Sequence, residues 1–246
     1  MSEDFGWSIS SLSAINQCGH LWKLRYRTST EPEAGRDLPA YAFGRAVHKG
    51  IEEIHLRGLW DVGHWMRLWD ELWVDQAKDV DWDAYPGRKR NYDRLGAQVL
   101  AAYTEEDSNR LAEIQCLEQR FDVRIEDVRV KGVIDQVRRR ADGLLLIDFK
   151  TSKEPSHPLV ERTDPQLTLY AHVCKLLYSQ MPTVAHYYLR TGNLVVTDRS
   201  EEDVELVLAM IREAQQRVDN GLFARQLGWH CNECVYRGPC LGGVAA

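Results

Sequence analysis

The stretch from residue 129 to residue 153 constrains the fold of this chain more than any other part of it. Residues 130–137 are rich in valine and isoleucine, and a second apolar run covers residues 144–149. The turn-forming sequence Ala-Asp-Gly at 141–143 separates the two runs. Together these features predict a β-hairpin whose nearly all-apolar second strand is covered on both faces.

Two ionised residues end the second strand of this predicted hairpin. Asp148 and Lys150 are separated by one residue, so the alternation of side chains along a strand places both on one face. Asp135 precedes Asp148 on the neighbouring strand and comes close to it if the turn is centred near Ala141. Adjoining carboxylates repel each other unless a cation lies between them, and their hard oxygen atoms suit Mg²⁺ or Mn²⁺.

Lys150 extends the chemistry of this pair. Beside a metal ion, its ammonium group can position or deprotonate a water molecule, or neutralise charge that builds on a phosphate. The pattern therefore indicates metal-assisted hydrolysis of a phosphodiester. The alternative is a surface hairpin whose aspartate and lysine are only solvated, because Asp-x-Lys alone is not a specific motif.

The length and charge of the chain set wider limits. The 246 residues can form one α/β domain, and no apolar run approaches the roughly 20 residues that span a bilayer. The first four residues, Met-Ser-Glu-Asp, lead into no apolar segment, so we expect a cytoplasmic protein with no membrane partner. The net charge of −6 argues against a protein that coats nucleic acid over its whole surface, but it does not exclude a nuclease. Basic clusters at residues 88–90 with Arg94, and at 138–140, are candidates for phosphate contacts or solvated surface runs.

The N-terminal half is predicted to be mainly helical. Short capped helices are expected around Cys18, and residues 42–54 have apolar positions at helical spacing. The segment 59–112 is mostly helical and rich in tryptophan, with indoles at 60, 65, 69 and 73. A buried seam is the favoured interpretation of these indoles over a platform for stacking bases. Polar stretches at 28–39 and 79–91 are predicted loops.

The second half is predicted to alternate strands and helices. Residues 117–125 form a half-exposed strand, and 184–189 with 194–197 form a further hairpin. Two prolines keep the chain irregular from residue 155 until a helix begins at Thr163, which acts as its cap, with Gln166 completing a capping box. The last long helix packs on the sheet and ends near residue 221.

Three of the six cysteines crowd the C-terminal tail. Cys231, Cys234 and Cys240 form Cys-x-x-Cys followed by five residues and a third cysteine. Their spacing does not resemble a disulfide framework, so metal ligation is the better interpretation. Cys18 is the natural fourth ligand, and His230 is a less favoured substitute. Four thiolates suit either a structural zinc ion or a [4Fe-4S] cluster, and the residues alone do not choose between them.

The predicted hairpin resembles the PD-(D/E)XK nuclease superfamily, specifically its RecB-like branch. In that branch Gly-x-x-Asp is followed by Asp-x-Lys-Thr, and residues 132–135 and 148–151 match these motifs. A helical motif of the branch, Gly-x-x-x-His-x-x-x-Glu, matches Gly44, His48 and Glu52. The resemblance implies that metal ions are bound by two aspartates of the hairpin, the imidazole of the helix and a backbone carbonyl. The implied metal ligands are His48, Asp135, Asp148 and Phe149.

The resemblance also implies roles for further residues. Lys150 would activate the attacking water, and the motif Gln-x-x-x-Tyr matches Gln166 and Tyr170, which point toward the active site in this branch. Glu118 occupies a place where related nucleases often carry an acidic residue near the metals. Two alternatives are that Gln166 serves only its own helix cap and that Glu118 is an edge charge. The imidazole favours Mn²⁺ at least as much as Mg²⁺.

The cysteine pattern is similar to that of iron-sulfur RecB-like exonucleases, including CRISPR-associated enzymes and the nuclease of the AddAB machine. These proteins carry an N-terminal cysteine in the motif Ser-x-Leu-x₅-Cys-x₇-Tyr, which residues 10–26 match. The resemblance therefore favours a [4Fe-4S] cluster, held by Cys18, Cys231, Cys234 and Cys240, over zinc.

The implied fold is α/β: a restriction-endonuclease-like core with a mixed central sheet flanked by helices, in a single domain over residues 1–246. Residues 1–112 would be the mainly helical part, 113–220 the catalytic core and 221–246 the cysteine tail.

The implied activity is a metal-dependent exonuclease on single-stranded DNA ends, with 5′ to 3′ polarity, in recombination, repair or CRISPR adaptation. Its partners would be single-stranded DNA and a helicase, recombinase or CRISPR adaptation proteins, since the chain has no phosphate-binding loop of an ATPase. The alternatives are a catalytically weak subunit that presents DNA ends and a redox or zinc-stabilised scaffold.

Overall fold

The computed structural model describes residues 5–28, 30–33, 38–153 and 155–241, apart from the side chain of Asp107. The chain groups into two compact units. The larger unit comprises Asp37–Gln119 and Val133–Ser200, and the smaller unit comprises Met1–Arg36, Arg120–Gly132 and Glu201–Ala246. The N-terminal residues 1–4 and positions 29 and 34–37 of the predicted loop lie outside the described residues. The predicted division at residues 112 and 220 stays a prediction.

Helices and strands alternate along the second half of the chain, as predicted. The helices are α1 (Ile9–Gln17), α2 (Gly19–Tyr26), α3 (Pro39–Arg57), α4 (Val62–Gln76), α5 (Arg88–Glu105), α6 (Asp107–Arg110), α7 (Pro158–Arg162), α8 (Pro165–Tyr178), α9 (Glu201–Asp219) and α10 (Arg237–Leu241). Short 3₁₀ turns cover Trp82–Ala84 and Trp229–Glu233. The strands are β1 (Glu113–Ile125), β2 (Val128–Arg140), β3 (Gly143–Lys150), β4 (Thr183–Tyr188) and β5 (Asn193–Thr197).

The strands of the described residues form one mixed sheet in the order β1-β2-β3-β4-β5. Strand β3 pairs antiparallel with β2 and parallel with β4, and β4 pairs antiparallel with β5. A parallel neighbour requires a crossover connection, and α7 and α8 provide it between β3 and β4. The predicted α/β fold with a mixed sheet flanked by helices is therefore confirmed.

The β2–β3 hairpin turns at the predicted Ala-Asp-Gly sequence, through a two-residue connection. Arg140 pairs with Gly143, and Gln136 pairs with Ile147. Gly143 has a φ of +134°, which a glycine adopts readily because it has no Cβ atom. Continuing this register by one step places Asp135 directly opposite Asp148. The turn therefore fixes the pair of carboxylates.

Aromatic packing joins α3, α4 and α5 to one face of the sheet in the larger unit. Trp65, Trp69 and Trp73 of α4 are buried, and the rings of Trp69 and Trp73 stack with centroids 5.6 Å apart. Phe43 of α3 contacts both rings edge-on. The apolar side chains of alternate β3 residues, including Ile147, complete this core. The predicted buried seam is confirmed, and these three indoles are not exposed for stacking on bases.

Helix α8 begins one residue later than predicted and with a different cap. The Asp164 carboxylate accepts a hydrogen bond from the Leu167 amide at 2.8 Å, so Asp164 is the N-cap and the predicted cap at Thr163 was wrong. The Thr163 hydroxyl instead donates to the carbonyl of Leu159 at 2.8 Å, at the end of α7. The predicted irregular stretch was also wrong, because Pro158 occupies the first turn of α7, where its missing N–H costs nothing.

The predicted loop at 79–91 is partly helical. A 3₁₀ turn covers Trp82–Ala84, and α5 already begins at Arg88. Gly87, with a φ of +75°, reverses the chain immediately before α5. The polar residues of this segment therefore belong partly to exposed positions of α5 and partly to the loop that precedes it.

The smaller unit is held together by aromatic side chains around α1, α2 and α9. Trp7 and Trp22 stack with ring centroids 5.7 Å apart, and Trp22 stacks on Phe223 at the same separation. The Trp7 indole donates a hydrogen bond to Gln215 of α9 at 2.8 Å. Helix α1 is capped, as predicted for the helices around Cys18, and its cap is Ser8. Among the helices that the structure describes, none has the length and apolar character of a bilayer-spanning segment.

Gly96 of α5 is a packing requirement of the larger unit. A Cβ atom at this position would lie 1.8 Å from the Trp69 ring. Gly96→Ala should therefore lower the free energy of unfolding by about 1–3 kcal/mol, although alanine is the better helix former. Gly63→Ala in α4 is the matched control, since no atom lies within 4 Å of its added methyl group. Thermal unfolding measures both, and equal stability of the two variants would contradict the packing role.

Candidate metal-dependent active site

Two buried carboxylates face each other across the hairpin, one in the middle of β2 and one near the end of β3. Asp135 and Asp148 are 8% and 3% exposed. One oxygen of Asp135 accepts a hydrogen bond from the Phe149 amide at 2.8 Å. One oxygen of Asp148 accepts from the side-chain amide of Gln166 at 2.7 Å. In each carboxylate, one oxygen is therefore held by an amide donor. The other oxygen faces a basic side chain, which is His48 for Asp135 and Lys150 for Asp148.

Helix α3 brings His48 to this pair of carboxylates. Its apolar positions are buried in the core of the larger unit, and His48 lies at the edge of that buried face. Nδ1 of His48 is 3.5 Å from Asp135 Oδ1, and Nε2 is 3.0 Å from the carbonyl oxygen of Phe149. The predicted imidazole and backbone carbonyl are thus neighbours.

Glu118 of β1 joins the group through an unusual backbone conformation. Its φ is +43°, in the left-handed region that residues other than glycine rarely adopt. A single such residue locally redirects a strand, as in a β-bulge, and backbone strain of this kind is concentrated at functional sites. Glu118 Oε1 lies 3.9 Å from Nδ1 of His48. The predicted acidic residue near the metals is therefore placed beside the predicted imidazole ligand.

His48, Glu118 and Asp135 each offer a ligand atom, and these atoms lie within 4.8 Å of one another. Within the described ranges, this is the one such group of three or more histidine, cysteine, aspartate or glutamate side chains. One imidazole nitrogen and two carboxylates suit Mn²⁺, and also Mg²⁺ with water completing the shell. The donor set fits a divalent cation.

The ionisation of this site reflects burial and the repulsion between its carboxylates. Burial and the Asp135 carboxylate raise the pKa of Glu118 to about 7. Burial and Asp135 likewise raise the pKa of Asp148 to about 6. Burial alone would lower the pKa of His48, but Asp135, Asp148 and Glu118 raise it to about 9. Repulsion among carboxylates therefore makes this site a binding place for positive charge.

Lys150 lies next to Asp148, on the same face of β3 as predicted. Its Nζ is 2.7 Å from Asp148 Oδ2. Burial would lower the pKa of Lys150, but Asp148, Asp164 and Asp135 raise it. In this environment Lys150 is an ammonium group.

Helix α8 contributes the two remaining predicted residues. Gln166 donates to Asp148, so its side chain serves the site rather than its own helix cap. Tyr170, one turn later, is buried, and burial together with Asp148 raises the pKa of its hydroxyl. The structure therefore brings together on α3, β1, β2, β3 and α8 the predicted metal-site and catalytic residues: His48, Glu118, Asp135, Asp148, Phe149, Lys150, Gln166 and Tyr170.

Two buried polar residues that the sequence analysis did not single out adjoin Asp148. His186 of β4 pairs with Asp148 in the parallel register, and its Nε2 lies 3.9 Å from Asp148 Oδ2. Glu161 of α7 contacts the other ring nitrogen of His186. A histidine within the otherwise apolar sequence Val-Ala-His-Tyr-Tyr was the available signal, but the pairing of β3 with β4 could not be read from it.

The four predicted cysteine ligands gather in the smaller unit. Burial raises the pKa of Cys234, and the thiol groups of Cys240, Cys231 and Cys18 raise it further. The main chain of Gln226 contacts two of the sulfur atoms: its amide lies 3.5 Å from Cys18 Sγ, and its carbonyl lies 3.9 Å from Cys231 Sγ. The N-terminal cysteine and the tail motif are therefore adjacent, and all six cysteines of the chain are free thiols in the described structure.

The arginines at residues 138–140 are engaged by neighbouring side chains. Arg138 is half-exposed and donates to Asn109 at 2.9 Å and to Gln136. Arg140 pairs with Asp142 at 2.7 Å. In the other predicted basic cluster, residues 88–90 and Arg94 are all exposed.

The raised pKa of Glu118 predicts how the stability of the metal-free protein depends on pH. Its folded-state pKa of about 7 exceeds the unfolded value of 4.5, so its contribution is present below pH 4.5 and is lost as pH rises through 7. Glu118→Gln should remove this loss, which amounts to at most about 3 kcal/mol. In chelator-treated protein, the variant should gain stability over the parent between pH 5 and pH 8. Glu105→Gln, at the exposed end of α5, is the control, and parallel pH profiles for parent and Glu118→Gln would contradict the prediction.

Comparisons with known proteins agree with the geometry of this site. The family model of the PD-(D/E)XK nuclease superfamily matches residues 6–241. A solved structure of a "putative exonuclease" from Eubacterium rectale superposes with a TM-score of 0.60 at 10% sequence identity, over 92% of this chain and 87% of that chain. A search of the curated proteins found no significant match. The structural likeness shows the shared fold, and the family match covers nearly the whole sequence. The chain therefore belongs to the PD-(D/E)XK nuclease superfamily.

Proposed function

We propose that this protein is a metal-dependent exonuclease of the RecB-like branch that digests single-stranded DNA from its ends with 5′ to 3′ polarity. The observation that carries the proposal is the group His48, Glu118 and Asp135, whose ligand atoms lie within 4.8 Å of one another. This group adjoins the Asp148–Lys150 pair. The printed description of the Eubacterium rectale protein as a putative exonuclease also supports an activity on chain ends.

The proposed metal ligands are His48, Asp135, Asp148 and the Phe149 carbonyl. His48 contacts two of the other three, with Nδ1 3.5 Å from Asp135 Oδ1 and Nε2 3.0 Å from the Phe149 carbonyl oxygen. The hairpin register, continued by one step, places Asp148 opposite Asp135. The imidazole favours Mn²⁺ over Mg²⁺. When bound, the divalent ions supply Lewis-acid contact to the phosphate and a more acidic water.

The protein's own groups prepare the reaction around that water. Lys150 is an ammonium group beside Asp148, so it positions the water and neutralises charge that develops on the phosphate. Gln166 holds Asp148 in place through a hydrogen bond, and Tyr170, one turn later on α8, is buried. Glu118, 3.9 Å from Nδ1 of His48, would contact the metal through a bound water.

The four cysteines of the smaller unit are proposed to hold a [4Fe-4S] cluster. Cys18 and Cys231 support this proposal because both contact the main chain of Gln226. The resemblance of the cysteine pattern to that of iron-sulfur RecB-like exonucleases favours the cluster over a zinc ion.

The setting proposed for this activity is recombination, repair or CRISPR adaptation, where a helicase, a recombinase or adaptation proteins generate or receive DNA ends. The competing function is a catalytically weak subunit that binds ends without trimming them. Both functions predict binding of single-stranded DNA, so cleavage has to be measured directly.

Metal-dependent cleavage distinguishes these two functions. Purified protein should shorten end-labelled single-stranded DNA in Mn²⁺ at least as fast as in Mg²⁺, and not at all in chelator. Asp148→Ala and Lys150→Ala should each lower the rate by about 10³-fold, because each removes a group at the developing charge. Asp142→Ala, on the exposed turn of the same hairpin, is the control and should keep full activity.

End-blocked and circular substrates in that assay test the polarity of digestion and the requirement for a DNA end. A block at the 5′ end should stop digestion, a block at the 3′ end should not, and circular strands should stay intact. Absence of cleavage with every metal would remove the exonuclease proposal. Cleavage of circular strands would replace exonuclease with endonuclease activity.

Anaerobically purified protein should be brown and contain about four irons per chain. Cys234→Ser should lose the visible absorption, whereas Cys116→Ser in β1 should retain it, because Cys116 belongs to the larger unit. Visible spectroscopy and metal analysis make the measurement. Colourless protein containing one zinc ion per chain would contradict the cluster.

A further inference from the structure

Two buried polar side chains behind the active site have no part in the chemistry described above. His186 lies on β4 and Glu161 on α7, and each is 3% exposed. Burial of two ionisable groups is costly unless each is paired and hydrogen-bonded. Their contacts show that they form one ordered unit next to Asp148.

Glu161 is held by donors from three directions. Its carboxylate accepts hydrogen bonds from the Tyr188 hydroxyl, from the Ser156 amide at 2.7 Å and from Nδ1 of His186. Burial would raise the pKa of Glu161, but the bonds from Tyr188 and His186 lower it, so the group is a carboxylate. Because a carboxylate only accepts, the Nδ1 atom of His186 carries the hydrogen.

The buried side chain of Arg199 holds the main chain at Glu161. Its guanidinium donates to the Glu161 carbonyl at 2.9 Å and to the Thr168 hydroxyl of α8 at 2.8 Å. Arg199 therefore connects α7 to α8. Because Glu161 is held by this main-chain bond and by Tyr188 of β4, its bond to Nδ1 sets the orientation of the His186 ring.

The second ring nitrogen of His186 points at the active site. Nε2 is buried and has no hydrogen-bond partner among the described residues. It lies 3.9 Å from Asp148 Oδ2 and 3.9 Å from Asp164 Oδ2. Both distances exceed an ordinary hydrogen bond by only about 1 Å, so a small rotation of either carboxylate closes the contact. Because a carboxylate only accepts, His186 donates from Nε2 in that contact as well as from Nδ1 to Glu161.

The two carboxylates that face Nε2 belong to the segments that carry the chemistry. Asp148 is a proposed metal ligand on β3, directly beside His186 in the parallel register. Asp164 caps α8, the helix from which Gln166 reaches Asp148. The imidazole of His186 therefore lies between Asp148 of β3 and the start of α8, the two elements that place Asp148 and Gln166 in the site.

We propose that His186 is a positioning residue of the nuclease reaction. Glu161 holds its Nδ1 side, and its Nε2 side orients the carboxylates of Asp148 and Asp164. Through these two groups His186 sets the direction of a metal-ligating oxygen and the start of α8. This inference rests on the proposed function, because it assigns His186 to the same site. Residues behind the metal ligands commonly change metal affinity or activity by about 10-fold to 100-fold when replaced.

Two substitutions separate the two sides of the imidazole. His186→Asn places an amide nitrogen near the position of Nδ1 and can keep the bond to Glu161, but it removes Nε2. His186→Gln places its amide nitrogen near the position of Nε2 and gives up the bond to Glu161. If His186 only fills and stabilises the interior, activity and metal affinity follow thermal stability in both variants.

The experiment uses the full chain and measures three quantities: the melting temperature of metal-free protein, the Mn²⁺ dissociation constant by titration calorimetry, and kcat on single-stranded DNA. We expect His186→Asn to weaken Mn²⁺ binding and lower kcat by about 10-fold or more at nearly unchanged melting temperature. His186→Gln should recover Mn²⁺ affinity to within about 3-fold of the parent despite a lower melting temperature.

His55→Asn is the matched control. His55 is a partly buried histidine of α3 that contacts the Tyr103 hydroxyl at 2.7 Å and the Gln136 side chain at 3.4 Å, neither of which is a proposed metal ligand or catalytic residue. Its replacement should change stability without changing Mn²⁺ affinity. Asp164→Ser is a second route that leaves His186 intact. Serine keeps the helix cap but removes the oxygen that faces Nε2, and it should slow turnover by at least about 3-fold.

The outcomes are distinct for the two proposals. Parent-like Mn²⁺ affinity and kcat in His186→Asn and Asp164→Ser, or losses that follow melting temperature in both His186 variants, would overturn the positioning role and leave the exonuclease standing. A parent protein that binds Mn²⁺ without cleaving DNA would remove the exonuclease, and the Mn²⁺ affinities of the variants would still decide the role of His186.

Discussion

Repulsion among buried carboxylates is the constraint on which the larger unit depends. The hairpin places Asp135 opposite Asp148, and Glu118 adds a third acidic group beside them. Such groups cannot all be ionised in a buried position without a positive charge nearby. The fold supplies an ammonium group from Lys150 and an imidazole from His48, which still leaves room for divalent cations. Protein groups therefore neutralise the site only in part, and that deficit gives it affinity for metal.

A rigid core is needed to hold repelling groups together. The stacked indoles of α4 pack against Phe43 of α3, and this packing extends to the inward-facing residues of β3. His48 occupies the same helix as Phe43, so its position relative to Phe149 is fixed by a close-packed aromatic cluster. The core thus offsets the electrostatic cost of the site. It also explains why Gly96, far from any chemistry, is constrained by the Trp69 ring.

The sequence was sufficient for the parts of the site that depend on local geometry. The two-residue turn after Arg140 sets the hairpin register, and strand alternation then brings Asp148 and Lys150 to one face. Helical spacing placed His48 beside a buried stripe, but only the family resemblance singled it out from an ordinary core histidine. The family match over residues 6–241 supports that use of the resemblance.

Other features depend on contacts that local patterns do not encode. The cap at Asp164 prevailed over Thr163 because α7, which was not predicted, uses the threonine hydroxyl at its own end. The left-handed conformation of Glu118 has no signature in an alternating strand. His186 became a neighbour of Asp148 only through the parallel pairing of β3 with β4, across a connection of more than thirty residues. Each of these misses involves a choice between competing partners that the tertiary structure makes.

The distribution of charge also bears on how a protein of this superfamily meets DNA. With a net charge of −6, the chain as a whole repels phosphate. Arg138 donates to Asn109 and Arg140 pairs with Asp142, so both already engage neighbouring side chains. The proposed binding of single-stranded DNA would therefore draw on cations at the acidic site and on the exposed basic cluster at residues 88–90. Binding of this kind would release few monovalent ions from DNA, so it would depend more on divalent metal than on the concentration of monovalent salt.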